Sequence, residues 1–159
     1  MKIGLQTWGS EGDLRPFVAL AAGLAAAGHE TTLAYSEITN KDVSDAARRL
    51  GFSTRRVGTL GDSVCLMQQH GMEVLTTRNP LLQVRKILRY FFNPMTEDLL
   101  AAARDLCREN DIVVGHFLVH PLVLAAEEAG RPRISVFTVD IELECPPHKE
   151  PAGIVVVHR

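Results

Sequence analysis

Short apolar runs and helical repeats alternate along this chain. The short runs are rich in β-branched residues and predict five strands, at about 3–8, 30–35, 52–57, 111–115 and 133–139. Helical spacing or helix-forming composition lies between them, at about 16–27, 40–50, 61–110 and 119–129. Strands that alternate with helices in this way predict an α/β fold, a Rossmann-like doubly wound parallel sheet in a single domain.

The first predicted helix has the clearest boundaries. Phe17, Leu20, Ala21 and Leu24 recur at the spacing of one helical face. Pro16 suits the first helical position, and Gly28 suits the residue after the last turn. In the long helical segment, Pro94 is expected to interrupt the run before a last helix resumes.

The end of the chain has a different composition. Residues 142–151 are polar and rich in proline, which predicts a loop or linker, and residues 153–157 are apolar and predict one more strand. That strand fits either an edge strand or the start of an unfinished fold. We therefore expect one domain over residues 1–140, followed by a linker and terminal strand over residues 141–159.

Composition narrows the classes of function. The net charge of −2 over 159 residues predicts no nucleic-acid partner, which would require a clustered basic surface. Cys65, Cys107 and Cys145 are scattered, which indicates reduced thiols rather than a disulfide framework. The start of the chain lacks the features of a signal peptide, and the longest apolar stretch, residues 17–28, is too short to span a bilayer. These features predict a soluble cytoplasmic protein.

A glycine-rich loop follows the first strand, in the sequence W-G-S-E-G-D-L-R-P from Trp8 to Pro16. In an open α/β sheet the carboxyl ends of the strands form ligand sites, so the position favours binding. However, the loop lacks the G-x-G-x-x-G spacing of dinucleotide-binding proteins and contains the carboxylates Glu11 and Asp13, which would repel a diphosphate. The chain also lacks a P-loop motif. A dinucleotide-binding site is therefore the less favoured interpretation.

Asp13 has two interpretations. Near a helix N-terminus an ionised carboxylate is stabilised by the helix dipole, and it could accept a proton from a substrate hydroxyl. Alternatively, Asp13 simply caps the helix, a role that aspartate fills often. Spacing alone favours the cap and leaves both open.

The loop and the helix after it resemble a known family. The run from Thr7 to Leu20, continuing through Gly23-Leu24 to Gly28-His29, resembles the N-terminal, acceptor-binding domain of GT-B glycosyltransferases, of the kind that act on natural products and sterols. A second match is the run D-I-V-V-G-H that ends at His116, followed by Ala125-Ala126-Glu127 and Gly130-Arg131-Pro132. The resemblance covers roughly residues 1–139.

The resemblance implies roles for five residues. Asp13 would be the general base that deprotonates the acceptor hydroxyl, and Gly9, Ser10 and Gly12 would shape the loop beside the acceptor and the donor phosphates. His116 would face the acceptor cleft. The implied reaction is inverting transfer of a hexose from a nucleotide diphosphate sugar to a hydroxyl of a lipid-like or natural-product aglycone, with no metal or other cofactor.

The chain also departs from the family. It is less than half the usual length, and the donor-binding motif of the C-terminal domain is absent. We therefore expect an acceptor-binding half that does not catalyse transfer alone and meets the nucleotide sugar through a missing C-terminal domain. Two alternatives stay open: a non-catalytic binding module that docks with a partner chain, and a stand-alone nucleotide-binding domain.

Two further clusters were weighed. His116 and His120 have the i, i+4 spacing of metal ligands, but Pro121 and the preceding strand argue against one regular helix across both, so no metal site is predicted. Arg78, Arg85 and Arg89 recur on one helical face near apolar residues. They indicate either a solvated face or a flexible helix that binds the acceptor or contacts a membrane surface peripherally.

Overall fold

The computed structural model describes residues 1–37, 42–58, 60–136 and 155–158, with only the backbone described for 37, 60–64 and 155–158. Six strands form one sheet in the order β3-β2-β1-β4-β5-β6. Their bounds are β1 Lys2–Gly9, β2 Glu30–Glu37, β3 Ser53–Arg56, β4 Ile112–His116, β5 Arg133–Val136 and β6 Val155–His158. The first five strands pair in parallel, which confirms the predicted Rossmann-like doubly wound sheet.

The sixth strand pairs antiparallel with β5, with Ile134 opposite Val157. The strand predicted near the end of the chain is therefore present and lies at the edge of the sheet in the described residues. The linker predicted from residue 141 lies outside the described residues, as do residues 137–139 of the fifth predicted strand. The division into a domain of residues 1–140 and a linker with a terminal strand stays a prediction.

Helices cover both faces of the sheet. Their bounds are α1 Glu11–Ala26, α2 Ser44–Leu50, α3 Leu60–Leu75, α4 Pro80–Ile87, α5 Thr96–Glu109 and α6 His120–Ala129. One buried layer, centred on Leu5, Phe17 and Leu33, lies under α1 and α2. The other, which includes Trp8 and Leu106, lies under α5 and α6. The result is a three-layer α/β/α architecture.

The segment between β3 and α5 is helical, as predicted, but it is broken into pieces. A π-helical turn, Leu88–Phe92, and a 3-10 turn, Asn93–Met95, separate α4 from α5. Pro94 lies in that 3-10 turn, at the predicted interruption. The π-helical turn directs Phe92 into the core, where its ring meets Trp8 edge-on with centroids 5.0 Å apart.

The predicted start of α1 is wrong. The helix begins at Glu11, with Ser10 as N-cap, so that Pro16 lies in the second turn rather than at the first helical position. The physical reason is the cap: the Asp13 side chain, three residues after Ser10, accepts the Ser10 backbone N–H at 2.8 Å. Pro16 costs the hydrogen bond that its N–H would make to the Gly12 carbonyl, and the helix tolerates this loss near its end.

Candidate functional site

The site lies where the chain changes direction across the sheet. Strands β2 and β3 follow β1 on one side, whereas β4 pairs with β1 on the other, with Gln6 opposite Gly115. The carboxyl ends of β1 and β4 therefore border the crevice at the topological switch point, the position where open α/β sheets bind ligands. Asp13 lies in the first turn of α1, which follows β1 directly, and β4 ends at His116.

Asp13 lies in the first turn of α1, with about a third of its side chain exposed. One carboxylate oxygen, Oδ2, accepts hydrogen bonds from the Ser10 backbone N–H at 2.8 Å and from the Ser10 hydroxyl at 3.0 Å. The other, Oδ1, lies 3.6 Å from Nε2 of His116. Asp13 therefore contributes to the cap of α1, with Ser10 as N-cap, and its second oxygen is directed toward His116. Whether it also acts as a base stays a prediction.

His116 is a buried histidine whose side chain is 1% exposed. Its Nδ1 accepts the backbone N–H of Leu118 at 3.4 Å, so a neutral ring carries its proton on Nε2, the nitrogen nearer to Asp13. Burial lowers the pKa of His116, and the charge of Asp13 opposes that shift in part. At neutral pH the ring is therefore uncharged and presents an N–H to the carboxylate.

Glycines give the loop its shape. Gly9 has a φ of +140°, and a β-carbon there would lie 2.3 Å from Oδ2 of Asp13. Only glycine leaves room for the carboxylate at this position. Gly12 is different, because a β-carbon there would meet nothing closer than the Ser10 hydroxyl, at 3.5 Å. The structure thus brings Gly9, Ser10, Asp13 and His116 together, and it shows no steric need for Gly12 to be glycine.

Sequence reasoning missed two features beside the loop. Trp8 is buried against Phe92, and its indole N–H lacks a hydrogen-bond partner within the described residues. Gln6 is also fully buried, and its amide nitrogen donates to the Leu99 carbonyl at 2.9 Å. Their positions two residues apart on β1 place both side chains on the α5 face, which only the alternation of the strand could have indicated.

The two histidines of the i, i+4 pair lie on different elements. His116 ends β4 and is buried, whereas His120 begins α6 and is exposed, so the two are not on one helix. Within the described ranges no three His, Cys, Asp or Glu side chains come close enough together to hold a metal ion. Whether the reaction needs a metal or other cofactor stays a prediction.

Because His116 is buried, we expect the free energy of unfolding to depend on pH. The pKa of His116 is lowered in the folded state, so the unfolded chain binds a proton at this histidine at a higher pH than the folded chain does. This difference begins as the pH falls below about 6.5. The free energy of unfolding should therefore decrease from pH 7 to pH 5. His116→Gln should reduce that decrease, as measured by urea unfolding at both pH values, whereas His120→Gln, at an exposed position, should not. Equal pH dependence in wild type and His116→Gln would contradict the assignment.

The chain is similar to known proteins of the kind that its motifs resemble. No family model matches the chain. A sterol 3-beta-glucosyltransferase of Eremothecium gossypii is 29% identical over 138 residues, which is 86% of this chain and 10% of that protein. An O-mycaminosyltylonolide 6-deoxyallosyltransferase of Streptomyces fradiae is 50% identical over 46 residues, 29% of this chain and 11% of that protein.

A solved structure shows the same fold. The glycosyltransferase SsfS6 of Streptomyces sp. SF2575, crystallised with thymidine diphosphate, superposes with a TM-score of 0.60 and 23% identity, over 86% of this chain and 38% of that one. The chain thus spans about a tenth of these curated relatives and under two fifths of this structure. Over most of its own length it is similar to sterol and natural-product glycosyltransferases of the GT-B fold, which confirms the resemblance predicted from the sequence.

Proposed function

We propose that this chain is the acceptor-binding half of an inverting glycosyltransferase, with Asp13 as the general base. The observation that carries the proposal is the Asp13 carboxylate at the switch point, held by Ser10 on one oxygen and approached by His116 on the other. The similarity of the chain to sterol and natural-product glycosyltransferases supports a lipid-like or natural-product alcohol as the acceptor. The thymidine diphosphate in SsfS6 supports a nucleotide diphosphate sugar as the donor.

The proposed chemistry is a single displacement. The acceptor oxygen forms a bond to the anomeric carbon of the hexose while the bond from that carbon to the diphosphate oxygen breaks. The nucleotide diphosphate leaves with the electron pair, and the acceptor proton passes to Asp13. Oδ1 is the oxygen that would take this proton, because Oδ2 already accepts two hydrogen bonds from Ser10.

His116 would act as a positioning residue in this reaction. Its N–H, fixed on Nε2 by the Leu118 contact, lies beside Oδ1 and can hold the carboxylate toward the crevice. Because burial lowers the pKa of His116, the neutral ring presents an N–H to Asp13 and does not form an ion pair with it. In this proposal, a C-terminal domain beyond this chain would bind most of the donor. The protein would work in the cytoplasm and contact a membrane peripherally.

Binding to this chain tests the proposal directly, because Trp8 is the one tryptophan of the sequence and lies at the carboxyl end of β1. An acceptor-binding half should show a saturable change in Trp8 fluorescence with sterols or macrolide aglycones. UDP and TDP alone should cause little change. The reverse pattern, tight nucleotide binding and no response to aglycones, would replace the proposal with a stand-alone nucleotide-binding domain.

Transfer is measured in a second experiment. A protein that joins this chain to a donor-binding domain, supplied with UDP-glucose or a TDP-sugar, should convert a responding aglycone to its glycoside, detected by mass spectrometry. Aglycone binding without any transfer in such a protein would favour the non-catalytic binding module.

A further inference from the structure

Helix α4 packs on α3 through its polar side chains. The Gln83 amide donates to the Val74 carbonyl at 3.3 Å. The Lys86 ammonium lies 3.0 Å from the Glu73 carboxylate and donates to the Thr77 hydroxyl at 3.1 Å. The side of α4 that faces the protein is therefore held by specific hydrogen bonds, beside the partly buried Ile87, which packs against the core.

The opposite side of α4 is apolar and faces outward. Leu81, Leu82 and Val84 are 81%, 48% and 50% exposed, and no residue of α4 is buried. A helix on the surface of a water-soluble protein normally directs most of its large apolar side chains toward the core. Met72 and Leu75, near the end of α3, are also exposed large apolar residues. Grouped exposure of this kind marks an interaction surface rather than scattered single residues.

Arginines accompany the apolar residues. Arg85 on α4 and Arg89 in the π-helical turn that follows are exposed and, at helical spacing, continue the side formed by Leu81 and Leu82. Arg78 is exposed just before the helix. Residues 65–95 contain four cations and one carboxylate, which Lys86 neutralises, although the chain as a whole carries −2. This side of α4 is therefore positively charged as well as apolar.

The stack of His70 and Tyr90 holds this arrangement in place. Their rings are nearly parallel, with centroids 3.9 Å apart, and they join α3 to the turn that follows α4. Together with the polar contacts of Gln83 and Lys86, this stack keeps the outer side of α4 exposed.

None of the described helices is both long and apolar enough to cross a bilayer.

We propose that the outer side of α4, defined by Leu81, Leu82, Val84 and Arg85 together with Arg89 of the turn that follows, docks on an anionic lipid surface. Apolar side chains at the depth of the acyl boundary, with arginines at the level of the phosphates, form the arrangement of an interfacial helix. The inference rests on the proposed function for its purpose, since a lipid-like acceptor would be taken from the bilayer. A protein partner is less favoured, because the arginines complement the charge of a membrane surface directly.

Co-sedimentation with vesicles tests the proposal without any need for turnover. The chain should bind vesicles of phosphatidylcholine that contain about 30% phosphatidylglycerol, and it should bind vesicles of pure phosphatidylcholine only weakly. The double substitution Leu81→Gln and Val84→Gln should weaken binding by about tenfold, and Arg85→Gln with Arg89→Gln by a similar factor that shrinks in high salt. Because these side chains are exposed, circular dichroism and the melting temperature should stay unchanged.

The matched control is Leu124→Gln on α6, since Leu124 is 54% exposed but lies outside this surface. It should bind vesicles like wild type. Equal binding by the control and the Leu81→Gln, Val84→Gln variant would overturn the proposal, as would binding that ignores phosphatidylglycerol. A dimer in analytical ultracentrifugation that the same variant dissociates would assign this surface to a second copy instead. If the docking proposal failed in this way and the joined protein still transferred sugar to a water-soluble acceptor, the proposed function would be retained.

Discussion

Asp13→Asn is expected to lower the rate of sugar transfer by about 10²- to 10⁴-fold, the usual contribution of a general base. The amide has the shape of the carboxylate and can still accept the Ser10 N–H through its oxygen. It cannot accept a proton from the acceptor hydroxyl. The rate is to be measured by mass spectrometry in a protein that joins this chain to a donor-binding domain, and aglycone binding by the chain itself should be unchanged.

The matched control for this substitution is Asp98→Asn. Asp98 is the third residue of α5, as Asp13 is of α1, and it is exposed. Both substitutions remove a negative charge from the first turn of a helix, which costs about 0.3–1 kcal/mol of stability. Only Asp13→Asn should affect transfer. If the two variants transferred sugar at similar rates, Asp13 would be a helix cap and nothing more.

Gly9→Ala is expected to lower the free energy of unfolding by about 1–3 kcal/mol, because the backbone at φ +140° is strained for any residue with a β-carbon. The new methyl group would also lie against the Asp13 carboxylate, 2.3 Å from Oδ2, and would push it away from Ser10. Urea unfolding measures the first effect. Transfer by the joined protein measures the second and should fall at least about tenfold (1.4 kcal/mol of lost transition-state stabilisation).

Gly12→Ala serves as the control in the same loop. Gly12 lies inside α1, and a β-carbon there makes only an ordinary contact with Ser10. Alanine should therefore leave stability unchanged or raise it by up to about 1 kcal/mol, from its better helix propensity. Equal stability of the two alanine variants would show that the conformation of Gly9 is not required.

Local sequence patterns predicted the elements well, for a reason that particular residues make clear. In Ile112–His116 and Lys2–Gly9, apolar and β-branched side chains fit a buried strand whatever the rest of the chain does. The start of α1 was missed because Pro16 is a strong local signal for a first helical position, whereas the competing cap depends on a side-chain contact between Ser10 and Asp13. The spacing of that pair was visible in the sequence, but its hydrogen bond was not.

The candidate site was predicted only in part. The loop motif singled out Asp13, and the resemblance added His116, but their distance depends on β1 and β4 being neighbours in the sheet. Asp13 and His116 are far apart in the chain, so their spacing in the sequence does not predict the distance between them. Packing likewise decides that the Trp8 N–H has no hydrogen-bond partner within the described residues, and a contact with Leu118 decides the tautomer of His116.

The sequence by itself determined the alternation of strands and helices, the glycine loop and the family resemblance, because each depends on residues close together in the chain. The tertiary structure decided which oxygen of Asp13 is engaged, which ring nitrogen faces it, and which way α4 turns its leucines. Helical periodicity shows that Leu81 and Val84 are near one side of a helix but does not show whether that side meets the core or the solvent. That choice is made by the contacts of Gln83 and Lys86 with a different helix.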